Sequence, residues 1–431
     1  MDASRRVLDG DVLVEGGRIK KIGRADGRTG GRAVSTTIDC RGLVILPGLV
    51  QAHIHLCQTL FRGLADDLAL EAWLAQRIWP LEAAHTEESV YWSAMLGAAE
   101  LLLGGTTAIL DMETVRHTAA AFEALEAIGM RATAGKCLMD APSAPASLRE
   151  PTDRALQESA DLCARWHGAA GGRLRYCFAP RFAPSCTGPL LRAVSDLAER
   201  ADAGIHTHAA ETPLELEMVK RATGHDEIAY LDSVGIAGPR TALAHCVWVD
   251  KEAIGRLARQ ATNVVHCPSS NLKLGSGVAP IPEMLAAGCR VAIGADGAPC
   301  NNRLDAFTEM RLAALIQKPR LGPEALPAAQ VLELATLGGA RALGLESEIG
   351  SIEVGKRADL VVLDLEGPHT QPAVADLISR IVYSARAADV RHVVVDGRLV
   401  VRDGALTTAD LAEIRRAANA QASRLRRAVG F

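Results

Sequence analysis

Eight short, almost continuously apolar segments recur through the middle of the chain, at 43–55, 106–112, 131–140, 173–181, 203–211, 241–247, 261–268 and 290–297. Amphipathic windows such as 87–103, 190–201, 251–259 and 281–287 separate them. A strand apolar along its whole length is covered on both faces, and strands alternating with helices pair in parallel. Eight such units in succession are what a (β/α)8 barrel requires. The predicted fold class is therefore α/β, a TIM-like barrel.

The two ends carry a different pattern. Residues 11–22 (DVLVEGGRIKKI) alternate apolar and polar around Gly16-Gly17, and 359–364 and 392–401 (HVVVDGRLVV) repeat the alternation, the last around Asp396-Gly397. Such turns between alternating runs mark hairpins. Both ends are expected to meet in one small β-sandwich, 1–47 with 350–431, beside a barrel of 48–349. Residues 407–429 read as a closing amphipathic helix.

Composition narrows the function. Over 431 residues, 47 Lys+Arg against 51 Asp+Glu give a net charge of −4, so no basic face is expected and no nucleic-acid partner. No apolar stretch reaches the ~18–20 residues that span a bilayer, and Met1-Asp2-Ala3-Ser4-Arg5-Arg6 lacks the apolar core of a signal segment. Ten cysteines without a CxxC pair are expected to be reduced thiols of a cytoplasmic protein.

In a (β/α)8 barrel, polar residues at the C-terminal strand ends face the open rim where chemistry happens. The first segment ends His53-Ile54-His55, whose alternation sends both imidazoles to one side. The fifth ends His206-Thr207-His208-Ala209-Ala210-Glu211, the sixth carries His245 and the eighth Asp296. Imidazole nitrogens with a carboxylate oxygen suit a divalent metal such as zinc, with a coordination position left for water. Any one of these histidines alone is more often a core or surface residue; the full pattern across four strand ends is specific.

Taken together, these residues resemble the amidohydrolase superfamily. Pro47-Gly48-Leu49-Val50 leads into His53-Ile54-His55, and His208, His245 and Asp296-Gly297 follow in its order. Gly105-Thr106-Thr107 and the run from Gly350 to Leu360 are similar to its other landmarks. The resemblance covers almost the whole chain and implies a barrel with a flanking β-sandwich. His208-Ala209-Ala210-Glu211 resembles the His-x-x-Glu of the aminohydrolase branch. That branch holds deaminases of adenine nucleosides, guanine deaminase and triazine hydrolases.

The resemblance implies metal ligation by His53, His55, His208 and Asp296, with one zinc ion, or iron, because the fourth strand carries no lysine to bridge two. It implies that Asp296 takes the proton of the attacking water and that His245 holds that water. Glu211 would protonate the ring nitrogen and then serve the departing ammonia. Glu211 also suits the head of a helix opened by Thr212-Pro213, and the two roles are compatible. His206 is expected to be a packed neighbour of His208, and His266 to stand behind the ligands.

The implied substrate is an adenine nucleoside, deaminated to its inosine analogue. The alternative is guanine or an s-triazine handled by the same mechanism. Glu82 matches a Glu that holds ribose hydroxyls, Gln58 matches one that contacts the base in guanine deaminase, and Arg181 stands where nucleoside deaminases carry His. Phe182 is a ring-stacking candidate or a core residue. A homo-oligomer is expected by the same resemblance. Relatives usually carry one more strand before the point where Met1 falls, so either the sandwich is shortened or the start lies upstream.

Overall fold

The computed structural model describes residues 5–23 and 36–430. Residues 1–4, 24–35 and 431 lie outside the described residues, so the expectations for the first four residues and for those parts of the two end segments are not addressed.

The chain opens with the hairpin β1 (Asp11–Glu15) and β2 (Arg18–Gly23), paired antiparallel across Gly16-Gly17. Next come β3 (Val44–Pro47) and β4 (Leu49–His55), where the sequence suggests one unbroken strand at 43–55. The break is at Gly48. Its amide donates to the Asp359 carbonyl at 2.8 Å, and a Cβ there would lie 2.0 Å from Thr107 Oγ1. Only glycine lets the chain leave one sheet and enter another at that point.

The barrel continues through β5 (Thr106–Met112), β6 (Arg131–Gly135), β7 (Cys137–Leu138), β8 (Leu174–Pro180), β9 (Gly204–Ala209), β10 (Thr241–His245), β11 (Asn263–His266), β12 (Arg290–Ile293) and β13 (Asp296–Gly297). Every pairing is parallel, in the order β12-β11-β10-β9-β8-β6-β5-β4-β13, with β7 on β8. β12 and β13 are two pieces of one strand interrupted at Gly294-Ala295. The first pairs with β11 and the second with β4, so the eighth strand closes the ring. The protein is a (β/α)8 barrel.

The expected strand at 131–140 also breaks, at Lys136. Its buried ammonium is held by Glu150 at 2.7 Å and Glu158 at 3.2 Å. A buried charge must be paired, and that pairing interrupts the ladder.

Helices such as Glu87–Leu103, capped by a reciprocal Thr86–Ser89 pair, and Gly188–Ala201, capped by Thr187, cover the outside of the strands. Outward-facing residues and helix faces form one large core. The alternate residues Val50, Ala108, Cys177, Ala242, Val265 and Ala292, one from each of six strands, meet in a second cluster that fills the interior below His53.

The remaining strands, β14 (Leu360–Leu363), β15 (Val390–Val395), β16 (Arg398–Arg402) and β17 (Ala405–Leu406), form a five-stranded antiparallel sheet in the order β17-β16-β15-β14-β3. The β1–β2 hairpin packs on it through Ile19, Ala358 and Leu360. Arg131 of β6 reaches across to Asp359 with two hydrogen bonds of 2.7 and 2.9 Å, both side chains buried, and locks this sheet to the barrel. Helix Leu411–Val429 follows, capped by Asp410. Among the described residues no helix is long and apolar enough to cross a membrane.

Candidate active site

The strand ends carry the site. On β4 the pairing register with β5 slips between Gln51 and Ile54, where one extra residue enters β4. Such a bulge re-aims side chains near active sites, and here it leaves His53 and His55 beside each other with ring centroids 4.8 Å apart. β9 supplies His208, β10 ends at His245, and β13 begins at Asp296.

His245 and Asp296 have φ of 73° and 62°, and Ala210 has 53°. Residues with a Cβ rarely hold this left-handed backbone, and such strain gathers at functional sites. At the ends of their strands it turns both side chains into the mouth of the barrel.

Hydrogen bonding determines which ring nitrogens face inward. His55 Nδ1 donates to the Met112 carbonyl at 2.8 Å, and His208 Nδ1 to the Arg181 carbonyl at 2.6 Å. A carbonyl only accepts, so each Nδ1 carries the proton and each Nε2 presents a bare lone pair. Those two Nε2 atoms lie 3.2 Å apart, and Asp296 Oδ1 lies 3.2 Å from the Nε2 of both His53 and His55. His53 Nε2 is buried and has no hydrogen-bond partner. The four donor atoms of His53, His55, His208 and Asp296 all fall within 4.8 Å of one another. Lone pairs and a carboxylate oxygen converging so closely repel one another unless a cation lies among them, so this donor set fits a divalent metal. Burial holds His53 near pKa 4 and His208 well below the ordinary value, keeping both neutral as ligation needs.

Around these donors stands a second ring of contacts. His206 Nε2 lies 2.7 Å from His53 Nδ1 and orients that ring. Ser270 donates to Asp296 Oδ2 at 2.7 Å, and the Gly297 amide to Oδ1 at 2.8 Å. His245 Nδ1 donates to Asn271 Oδ1 at 2.9 Å, leaving Nε2 3.6 Å from Glu211 Oε2 and 4.0 Å from Asp296 Oδ2. Ser276 donates to Glu211 Oε1 at 2.9 Å. Burial raises the Glu211 carboxyl above its ordinary range against the pull of His245. Burial pulls the His245 imidazole down, yet Glu211 and Asp296 carry it above its ordinary value. Both groups lean toward their proton-bearing forms.

The donors open onto a cleft with about 410 Å³ of empty space, part of it open to solvent. Leu70, Trp73, Leu74, Phe182 and Leu274 form its apolar wall; Gln58, Arg181, Glu211 and His245 form the polar one. Glu82 lies behind that wall. Both of its oxygens are taken by Arg181, at 2.8 and 3.3 Å, and Oε1 also accepts from Gln58 Nε2 at 2.8 Å. Because the Gln58 amide nitrogen faces a carboxylate, its Oε1 faces away, buried and without a partner.

The structure thus brings every residue singled out in the sequence to one cavity or directly behind it. His266 is buried with neither ring nitrogen partnered. Ser270 and Asn271, a few residues further on, make the contacts to Asp296 and His245 instead. Sequence reasoning passed over this pair, although a polar Ser269-Ser270-Asn271 run directly after a barrel strand is a usable signal.

A family profile described as "Amidohydrolase family" matches residues 44–400. The chain belongs to that family. This amidohydrolase is 43% identical over 417 residues, 96% of this chain and 95% of the relative, to a 5-methylthioadenosine/S-adenosylhomocysteine deaminase of Desulforudis audaxviator. It is 40% identical, over 91% of this chain and 88% of the relative, to a 5′-deoxyadenosine deaminase of Methanosarcina acetivorans. Among solved structures, a zinc-bound adenosine deaminase from Xanthomonas campestris superposes with a TM-score of 0.90 at 35% identity, over 96% of this chain and 93% of that one.

Proposed function

We propose that this amidohydrolase removes the exocyclic amine of an adenine nucleoside by hydrolysis, releasing ammonia and the inosine analogue. The observation that carries this reading is the Glu211–His245 pair, buried 3.6 Å apart at the edge of a four-donor metal site inside an apolar cavity. Relatives at about 40% identity named as deaminases of such nucleosides support it.

In this reading His53, His55, His208 and Asp296 hold one divalent ion, zinc as in the Xanthomonas relative. When bound, the metal supplies Lewis acidity and lowers the pKa of a water toward neutrality. Asp296 takes the proton of the attacking water, and Ser270 holds the carboxylate in place for this. His245, aligned by Asn271, hydrogen-bonds the attacking oxygen and steadies the charge it develops. Glu211 donates its proton to the ring nitrogen next to the attacked carbon. The carbon–nitrogen bond then breaks: the departing amine takes the proton held by Asp296 and leaves as ammonia, while the new hydroxyl returns its proton to Glu211 and becomes the carbonyl of the product. The upward-shifted pKa of Glu211, caused chiefly by burial, suits a group that must begin protonated.

Gln58, Glu82 and Arg181 form the proposed substrate wall. Gln58 and Arg181 line the cavity as the proposed substrate contacts, and Glu82 holds both from behind. Arg181 and Gln58 on the cavity face also favour a second reading, guanine or an amino-triazine as substrate. The division at 47/48 and 349/350 is proposed as the domain boundary. A cytoplasmic homo-oligomer without a nucleic-acid partner completes the reading; its ten free thiols and net charge of −4 support the compartment and the absence of nucleic acid, and sedimentation tests the oligomer.

The deciding experiment is ammonia release by metal-replete enzyme across 5′-deoxyadenosine, methylthioadenosine, S-adenosylhomocysteine, adenosine, guanine and an amino-triazine. A preference of about 100-fold in kcat/KM for an adenine nucleoside, about 2.7 kcal/mol, establishes it. Turnover of guanine or the triazine alone replaces it with the second reading.

A further inference from the structure

Two acids outside the catalytic set hold the loop that carries Glu211. Glu227, at the start of helix Glu227–Ser233, accepts the Ala210 amide through Oε2 at 2.9 Å. Glu215, on helix Pro213–Thr223, accepts the Glu211 amide through Oε2 at 2.7 Å. Relative exposures of 0% and 4% put both in the interior. Their remaining oxygens, Oε1 in each, are buried without a hydrogen-bond partner, and burial raises both carboxyls above their ordinary range, with the charge of Glu215 raising Glu227 further.

Ionised carboxylates only accept hydrogen bonds. Two of them meet in the interior only when one carries a proton, because like charges this close cannot both ionise. Helix capping does not require either acid. Thr212 already caps Pro213–Thr223, its Oγ1 accepting the Glu215 amide at 3.2 Å. What the pair does hold is specific: the amides of Ala210, strained at φ 53°, and of Glu211 itself. From the other side the Val247 and Trp248 amides both grip the Ala210 carbonyl at 2.9 Å. The loop between the donor His208 and Glu211 is thereby fixed at consecutive peptide groups.

We propose that Glu215 and Glu227 are a proton-sharing carboxyl pair that positions Glu211 for proton transfer, setting its carboxyl between His245 and Ser276. Neither touches the substrate; both act through the backbone, Glu227 at the Ala210 amide and Glu215 at the Glu211 amide. The proposal rests on the functional reading above only for the identity of Glu211 as the proton donor.

The test uses the full-length, metal-loaded enzyme with Glu227→Gln, Glu215→Gln and Glu227→Met. A glutamine keeps one oxygen for the backbone amide and one N–H for the partner carboxylate, so each Gln variant is expected to keep kcat within about threefold of wild type. Glu227→Met frees the Ala210 amide, and kcat is expected to fall about 10- to 100-fold, with KM within about threefold and full metal content, as for a displaced catalytic group.

A Met variant with unchanged kcat overturns the proposal. So does one that loses metal and raises KM in step, and so does a Gln variant as damaged as the Met variant. If the Met variant does not fold, Glu215→Gln/Glu227→Gln decides: with no carboxylate left in the pair, kcat is expected to fall at least about tenfold below either single variant. A double variant equal to the singles overturns it. Infrared spectra provide a readout independent of substrate: Glu227→Gln is expected to lose one protonated-carboxyl band, and an unchanged band overturns the pair. A wild type inactive on every compound in the panel rejects the functional reading and leaves the infrared result to judge the pair.

Discussion

The carbonyl oxygen of Arg181 lies 2.6 Å from His208 Nδ1, and the guanidinium of the same residue clamps Glu82. One residue therefore sets the ring of a metal-site histidine through its backbone and builds the cavity wall through its side chain. Arg181→Met is expected to leave the carbonyl, and so the metal content, unchanged. It strands a buried Glu82 carboxylate, which should lower stability by about 3–5 kcal/mol. Urea denaturation beside metal analysis checks both halves; loss of metal in step with stability contradicts the separation.

Glu211→Gln keeps the shape of the side chain and removes its exchangeable acid proton. Ammonia release is expected to drop by about 100- to 10,000-fold with full metal content. A variant that retains turnover removes Glu211 from the role given to it.

Chelation is expected to abolish activity and lower Tm, and one equivalent of zinc should restore both. At a free metal concentration of 100 Kd the linkage amounts to about 2.7 kcal/mol. A restoration that needs two equivalents contradicts a single ion held by His53, His55, His208 and Asp296.

His85 predicts part of the acid response. Burial lowers its pKa from 6.5 to about 4, and its ring bonds Ser89 Oγ and the Cys57 carbonyl, each at 2.8 Å. Between those two values the unfolded chain binds more protons than the folded one, so stability is full above pH 6.5 and falls as pH drops toward 4. The contribution is about 3 kcal/mol at most. His85→Gln, which keeps a donor and an acceptor, should flatten the fall in urea midpoint between pH 7 and pH 5; an unchanged slope contradicts the assignment.

The barrel was legible because its strands are apolar along their whole length and separated by amphipathic windows, so each of the eight segments announces itself locally. What was not legible is tertiary. The break at Gly48 depends on Thr107 pressing against it, and the break at Lys136 on Glu150 and Glu158 arriving from a later helix and the loop before it. The metal donors could be named from sequence because they crowd at strand ends. Glu227 could not, since it acts on the Ala210 amide, 17 residues back, which only the folded chain brings close. The Glu82–Arg181 pair, 99 residues apart in sequence, is of the same kind.

The pairing of β3 with β14, Pro47 opposite Leu360, has a consequence in time. A ribosome delivering ~5–20 residues per second takes about 15–60 s to make the residues between these partners. Throughout that interval the apolar Val44–Pro47 edge has no strand beside it, while the adjoining β4 already has β5 to pair with. This amidohydrolase therefore emerges with its barrel nucleus able to form early and an exposed strand edge waiting for the far end of the chain. That edge is where a nascent copy is open to aggregation or to capture by a chaperone.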